Sequence, residues 1–445
     1  MKFNKKQIFC FASAALLLGT SQLNAQSNET TENEFQTSFQ FRPRLEIRDG
    51  AFRPLAEGEK PAALISDRAR LKLDYKYKDI LEIRVAPQSV GVWGQANMVQ
   101  GAENSGNRIA LFETWAKLKL HDDWSMKLGR QVISLDDERF FGELDWAQGG
   151  RAHDAIQFNY KKEKIDLKAF FAYNQNYAAM YGNNLSNPSG NLYSPVDALP
   201  YKWMQTIWTG IPLNEKSKLS LLATNLGMQY MDNKDTTFSF TQTIGANYFY
   251  KGSDLSGSLS GYYQFGKDMN AVKTNAFLLA AQIGYQLNSN FNLSLGSDYL
   301  SGNKLGTAQD NNHAFNPFFH TGHKFYGSMD YFYSGNGHKN VGLSDNYLKL
   351  NYARNNYSVN VALHQFFATA SILEGNIEKN NNLGQEMDLT IHYKINPVVN
   401  LVGGYSFFIN SGTLNYLKNV PTANSYQQWA WLSLNITPNF FKSKF

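Results

Sequence analysis

The residues best equipped for chemistry in this chain are arginines and lysines that recur at every second position. Arg42, Arg44 and Arg48 alternate with Phe41, Leu45 and Ile47, and Arg68, Arg70, Lys72 and Lys76 alternate with Leu71, Leu73, Tyr75 and Tyr77. Arg84, Lys117 and Lys119 continue the series, with Glu46, Asp74, Glu82 and Glu113 interspersed on the same faces. A guanidinium grips a carboxylate through paired hydrogen bonds, and a row of such groups on a low-dielectric wall focuses a field that draws anions in. Eleven of the twelve arginines precede residue 152; only Arg354 lies beyond. The polar faces of the first four alternating segments carry ten positive and four negative groups, whereas residues 26–155 as a whole hold eighteen basic and twenty-one acidic residues. Acids are thus sorted into connections and bases onto the alternating faces. For any single arginine, ion pairing with a carboxylate such as Glu46 or Glu82 on an adjacent strand competes equally with anion handling.

Other chemistry finds less support. His320 and His323 sit three residues apart with His313 and Asp310 nearby, which is a weak pattern for a metal site. His153 adjoins Asp154, but no G-x-S-x-G motif supplies a nucleophile. Asp136, Asp137 and Glu138 reads as a calcium ligand run, a solvated loop tip or the ion-pair partners of Arg139. The one cysteine, Cys10, lies in an N-terminal segment with Lys2, Lys5 and Lys6 before the apolar run Ile8–Leu18 and Leu23-Asn24-Ala25 after it. That segment reads as a secretory signal, residues 1–25, so the mature chain has no thiol for catalysis, disulfides or metal. No enzyme activity, metal or cofactor is expected.

Segments of about ten alternating residues position these groups. Phe277, Leu279, Ala281, Ile283, Tyr285 and Leu287 share one parity; Phe291, Leu293, Leu295 and Tyr299 share another, opposed by Asn292, Ser294 and Asp298. Period two puts the apolar set on one side of a sheet. No mature segment is apolar enough for a membrane helix, so the repeated pattern predicts an all-β transmembrane antiparallel barrel, lipid outside and water inside. An aromatic content of 14% with a mean hydropathy of −0.42 suits such a barrel, in which only alternate side chains meet lipid. Short polar connections (Lys78-Asp79, His121–Asp123, Lys161–Lys164, Asn214–Ser217, Lys251–Asp254, Asn288–Asn290, Asn355-Asn356, Asn396-Pro397) take turns with longer Gly/Asn/Ser-rich ones such as Gly94–Asn107, Ser134–His153 and Asn174–Pro200. Short periplasmic turns and long extracellular loops then give about eighteen strands with both termini periplasmic. Ser301–Asp345 is expected to be one large external loop folded back towards the pore, within a single domain spanning 26–445. Phe445 resembles a signal for the barrel assembly machinery. Yet Ala430, Leu432, Leu434 and Ile436 alternate out of phase with Phe441 and Phe445, and Pro438 is expected to break the strand.

Two stretches resemble the alginate export family of outer-membrane barrels. One runs Lys127-Leu128-Gly129-Arg130-Gln131, Asp136-Asp137-Glu138-Arg139-Phe140-Phe141-Gly142, Asp145-Trp146, Gly150-Arg151 and His153-Asp154. The other is Pro317–Gly327 followed by Met329-Asp330. The resemblance implies an eighteen-stranded monomeric channel that passes an acidic polysaccharide through an arginine-rich constriction. It also implies Arg130 and Arg151 as constriction residues, with Asp145 and Asp154 as the partners fixing them. Strand parity instead places Arg130 beside Met126 and Leu128 on the lipid face, unless Gly129 forms a bulge or the residue sits at the rim. The expected function is an outer-membrane channel for anionic solutes, an alginate-like acidic saccharide in particular. The alternatives are a general porin of low selectivity or an adhesion barrel acting through its loops. Expected partners are membrane lipid, the anionic carbohydrate and the barrel assembly machinery; no nucleic acid is expected.

Overall fold

The computed structural model describes residues 32–95, 109–174, 201–232, 235–334 and 337–445; the signal segment and most of Gly94–Asn107 and Asn174–Pro200 lie outside them. Alternating segments form β1 (Glu34–Arg48), β2 (Ala62–Tyr77), β3 (Leu81–Val92), β4 (Ile109–Lys119), β5 (Trp124–Gln131) and β6 (His153–Lys162). They continue as β7 (Ile165–Tyr173), β8 (Trp203–Asn214), β9 (Ser217–Asp232), β10 (Asp235–Lys251), β11 (Leu255–Lys267) and β12 (Lys273–Gln286). The set ends with β13 (Phe291–Leu300), β14 (Leu343–Arg354), β15 (Tyr357–Phe367), β16 (Asn382–Asn396), β17 (Val399–Asn410) and β18 (Tyr426–Ile436, resumed at Asn439–Lys444). Each strand pairs antiparallel with its sequence neighbours, and β1 pairs with both β2 and β18, so eighteen strands close without an edge. Closure is what lets a sheet cross lipid, because every backbone donor and acceptor finds a partner. No helix among the described residues is long and apolar enough to cross a membrane.

Side-chain parity follows the alternation. Leu279, Ile283 and Leu295 stand 53–59% exposed on the outer face, while Leu278, Asp298 and Leu300 point inward and are almost wholly covered. The short connections fall where expected; at Asn355-Asn356 the first residue takes φ +53°, a left-handed geometry that asparagine tolerates in a two-residue hairpin. The opposite rim is less uniform than the sequence pattern implied, since Asp268–Val272 is a short turn there. In β18, Tyr426 and Leu432 face out before Pro438, and Phe440, Phe441 and Phe445 stand exposed after it. The pairing with β1 shifts register at Thr37/Ser38, which absorbs the change of phase.

The lumen is not an open tube. Phe325–Tyr333 forms no strand; residues 301–342 connect β13 to β14 as one long excursion, with a short 3-10 turn at Gly322–Lys324. Tyr326, Met329, Tyr331 and Phe332 from this excursion are buried inside the barrel, as are Phe140 and Phe141 from the connection between β5 and β6. The two excursions touch through a parallel bridge between Phe141 and Phe319. The Gly142 amide donates to the Phe319 carbonyl (2.7 Å) and the Thr321 amide to the Glu138 carbonyl (3.1 Å). Together they form a partition across the bore, packed with aromatic side chains.

Candidate functional site

The partition is seated in the arginine-bearing wall. Arg42 and Arg68 face each other directly across β1 and β2, an arrangement of like charges that is unfavourable on its own. Asp145 from the β5–β6 connection resolves it: its two carboxylate oxygens lie 3.2 Å from Arg42 Nη1 and 2.8 Å from Arg68 Nη2. Arg42 also donates to the carbonyls of Asp145, Trp146 and Ala147, and its Nε to Gln148 (3.0 Å). Arg44 pairs with Glu46 (2.8 Å), donates to the Trp146 carbonyl and lies 4.0 Å from the centre of the Trp146 ring. Arg48 donates to the Met329 carbonyl (3.0 Å), and Arg70 donates twice to Gln88 while stacking on Phe112. Backbone carbonyls left unpaired by a loop inside a barrel must find donors, and guanidinium groups supply up to five each. These five arginines therefore form the socket of the partition, each of them nine-tenths or more covered.

Lower on the same wall the charges are more open. Arg84 bridges Asp74 (2.6 Å) and Glu113 (3.2 Å); Lys117 pairs with Glu82 (3.2 Å), and Lys119 with Asp79 (2.8 Å) and Asp122 (3.0 Å). Lys117 directly opposes Lys127 across β4 and β5, a second like-charge pair. Of its two members Lys117 has Glu82 as its ion-pair partner. Among the described residues no carboxylate lies within ion-pair distance of Lys127, which rests 4.2 Å from the Trp115 ring, or of Lys72.

Two residues singled out by the resemblance lie elsewhere. Arg130 faces outward near the long-loop rim, paired with Asp154 (3.1 Å) on the adjacent strand. Gly129 does adopt φ +122°, but no residue is inserted, so the parity of Arg130 stays with Leu128. Asp154 thus holds Arg130 on the outer surface, away from any constriction in the lumen. Arg151 is buried and donates to the carbonyls of Gly142 (3.3 Å), Phe319 and His320 (2.9 Å), clasping the two excursions together. Burial without a carboxylate in contact pushes its guanidinium down to about 10. Asp145 fixes Arg42 and Arg68, not Arg151.

Four features escaped the sequence reading. Arg139 spans from the partition to Asp298 on β13 (2.9 Å) and also pairs with Asp137, one of the alternatives open from sequence. Asp136 accepts from Trp208 (2.9 Å) and Asn247 (3.1 Å), tying the same connection to β8 and β10. Trp146 is stacked against His323 at 4.0 Å. Opposite the basic wall stands an acidic one: Asp298, Asp345, Glu386 and Asp388 are all buried on β13, β14 and β16. His364 sits 2.8 Å from Asp345, and the backbone amides of Ser328 and Met329 donate to Asp388 and Glu386. Inward parity was legible for each acid, but only closure of the barrel shows that the two walls face each other. His320 is buried with its Nδ1 near the Pro317 carbonyl (3.0 Å), and burial and Arg151 push it down to about 3; it packs on Tyr326 as a neutral ring.

Residues 34–174 match the family model described as alginate export. No curated protein matches the chain. Among solved structures, it is similar to Acinetobacter baumannii OccAB1 (TM-score 0.60, 12% identity, 95% of this chain and 100% of that one). It is likewise similar to Acinetobacter baumannii OccAB2 (0.60, 12%, 92% and 98%) and to Pseudomonas aeruginosa OpdK crystallised with vanillate (0.56, 12%, 91% and 99%). At these identities the likeness establishes the architecture, that of outer-membrane barrels. The chain folds as a closed eighteen-stranded antiparallel β-barrel of the outer-membrane kind these proteins share, and residues 34–174 match the alginate export family model.

Proposed function

We propose that this porin passes anionic solutes, acidic saccharides above all, along the strip formed by Lys72, Arg84, Lys117, Lys119 and Lys127. The observation that carries the reading is the contrast between two opposed cation pairs. Arg42 and Arg68 share the chain's own Asp145, whereas among the described residues no carboxylate lies within ion-pair distance of Lys127 or of Lys72. Charge left uncompensated on a wall holds a passing anion transiently, which conduction requires. The family signature supports a uronate-bearing saccharide as cargo, and the vanillate bound by OpdK shows a carboxylate accepted by a barrel of the same architecture. In this reading the protein works as a monomer, catalyses nothing and needs no cofactor.

The test is the reversal potential of the purified porin in planar bilayers under a KCl gradient. Chloride preference is expected, and K72Q/K127Q should lower the permeability ratio several-fold. A cation preference, or an unchanged ratio in the double variant, would overturn the reading. One observation favours a second reading: the partition reaches from β1 to β16, which suits a structural barrel. Absence of any ion conductance would point to it.

A further inference from the structure

One stretch of the partition is built differently from the rest. In the excursion from β13 to β14, the short strap Gly327-Ser328-Met329 runs between Tyr326 and Asp330, and both of these residues are buried. Left-handed backbone brackets the strap: Tyr326 takes φ +64° and Gly327 +82° at its start, and Asp330 takes +58° at its end. Glycine adopts that region freely, whereas tyrosine and aspartate adopt it only where surrounding contacts hold them there. Those contacts exist. The Tyr326 ring is packed against His320 and Tyr333, and the Asp330 carboxylate lies 3.1 Å from His323 Nδ1. Two fixed ends with strained backbone between them are what a hinged segment requires.

The strap is held to the wall by its backbone. The Met329 amide donates to Glu386 Oε1 on β16 (2.7 Å), the Met329 carbonyl accepts from Arg48 Nη2 on β1 (3.0 Å), and the Ser328 amide lies 3.4 Å from Asp388 Oδ2. Glu386 packs flush against the strap, since a β-carbon added at Gly327 would overlap its carboxylate. The β5–β6 connection is anchored far more widely, by side chains: Asp136 to β8 and β10, Arg139 to β13, and Asp145 to β1 and β2. Around Met329 the seat is also incompletely used. Arg48 Nε, Trp429 Nε1, the Tyr331 hydroxyl and Glu386 Oε2 are all buried, and among the described residues none of these four atoms has a hydrogen-bond partner. The Arg48 guanidinium stands 5.0 Å from the Trp429 ring, and Tyr331 lies close enough to Arg48 and Glu386 to feel both charges. Buried donors left unmatched beside a buried acceptor mark a contact that is not at its best pairing.

The strap's position gives it consequence. Gly327 and Ser328 border a cavity of about 510 Å³ beneath the partition, against β14–β18 and β1. One residue on, Met329 reaches Arg48, where β1 ends on the long-loop side. The strap therefore stands between the cavity and that rim. Phe319 and Thr321, which join this excursion to the β5–β6 connection, precede the first hinge, so the strap moves without parting the joint.

We propose that Gly327–Met329 is the gate of the partition, a strap seated on Glu386 and Arg48 that lifts about Tyr326 and Asp330 and opens the cavity towards the long-loop rim. The β5–β6 connection stays in place as it does so. The gate rests on the channel reading and adds to it the point at which that channel opens. Met329 is the one large apolar side chain in the strap and is wholly buried when the strap is seated, so its exposure reports the movement.

The experiment uses the full-length porin in planar bilayers, with a membrane-impermeant methanethiosulfonate as the probe of a cysteine placed at Met329. The chain's one cysteine, Cys10, lies in the signal segment, so M329C reports alone. E386L removes the acceptor of the Met329 amide, and G327A drives a β-carbon into the Glu386 carboxylate. Each should raise the open probability about fivefold or more, the scale of one lost hydrogen bond, and should speed modification of M329C by a similar factor. E386Q, whose amide oxygen still accepts, should gate as the unaltered porin does. F140C, in the β5–β6 connection, should stay unmodified in every background. Heat-modifiable mobility verifies folding, and E386L carries the test should G327A fail to fold. Unchanged gating and unchanged M329C modification in folded E386L overturn the gate. Modification of F140C in step with M329C overturns it too, because the whole partition then moves. Either failure with chloride preference retained leaves the channel reading standing. Absence of conductance in the unaltered porin and in E386L alike defeats the channel reading, and the gate with it.

Discussion

At the scale of single residues, Asp145 carries the most consequence. Burial alone would raise its carboxyl, but Arg68 and Arg42 outweigh that and hold it below the ordinary carboxylate range. A group whose folded-state value is depressed contributes stability fully above its unfolded value, about 3.9, and loses it as pH falls through the folded value. The seat of the partition should therefore be intact at neutral pH and loosen only in acid below about pH 4. Because the carboxylate is 47% exposed, its contribution is about 1 kcal/mol rather than that of a buried pair. D145N should raise chloride preference by freeing two opposed guanidiniums, and should make the open current noisier at every pH. Single-channel recordings between pH 7 and pH 3 check this: an acid step in noise that persists in D145N would place the responsible group elsewhere. Arg151 makes a related point. Its place in the stretch that resembles the alginate export family implied contact with cargo, yet the guanidinium is spent on three loop carbonyls.

At the scale of elements, the two excursions act as one body because they are bonded to each other as well as to the wall. Their closest approach is at Gly142, where an added β-carbon would fall inside van der Waals contact of Thr321 Oγ1 and of the Glu138 side chain. G142V should part the excursions and break the bridge between Phe141 and Phe319. Conductance and its fluctuation should both rise, with the barrel itself unaffected. The measurement is paired: single-channel conductance for the partition and heat-modifiable electrophoretic mobility for the barrel. Unchanged conductance in a folded G142V barrel would mean that the partition does not limit the current. Sequence could nominate Ser301–Asp345 as an inward-folding loop, because spanning there would have reversed every later strand. It could not show that the β5–β6 connection folds in as well, since Asp136, Asp137 and Glu138 look equally at home on a solvated tip.

At the scale of the whole molecule, stability depends on which side of the wall a charge stands. Leu295 faces lipid and Ser294, its neighbour on β13, faces the lumen. L295K should cost about 2–4 kcal/mol if the position lies near the bilayer midplane, whereas S294K should cost far less. Urea titration of folding into lipid vesicles reads both, and equal costs would contradict the assigned faces. The lumen's two walls are a property of the same scale: basic groups cluster on β1–β5 and buried acids on β13–β16, far apart in sequence and facing each other only once the ribbon closes.

The sequence by itself determined the strands, their number and their faces. A period of two in hydrophobicity leaves a strand no freedom about which side meets lipid, and turn chemistry at residues such as Asn355 sets where it reverses. It determined equally that the arginines of β1, β2 and β3 point inward. What those arginines do was decided by tertiary structure alone. Parity says which way a side chain points but not what meets it there, and the partners of Arg42, Arg48 and Arg68 come from segments about 80 to 280 residues away. Lys127 is unclaimed by any such segment; only the folded lumen shows that, among the described residues, no carboxylate reaches it within ion-pair distance.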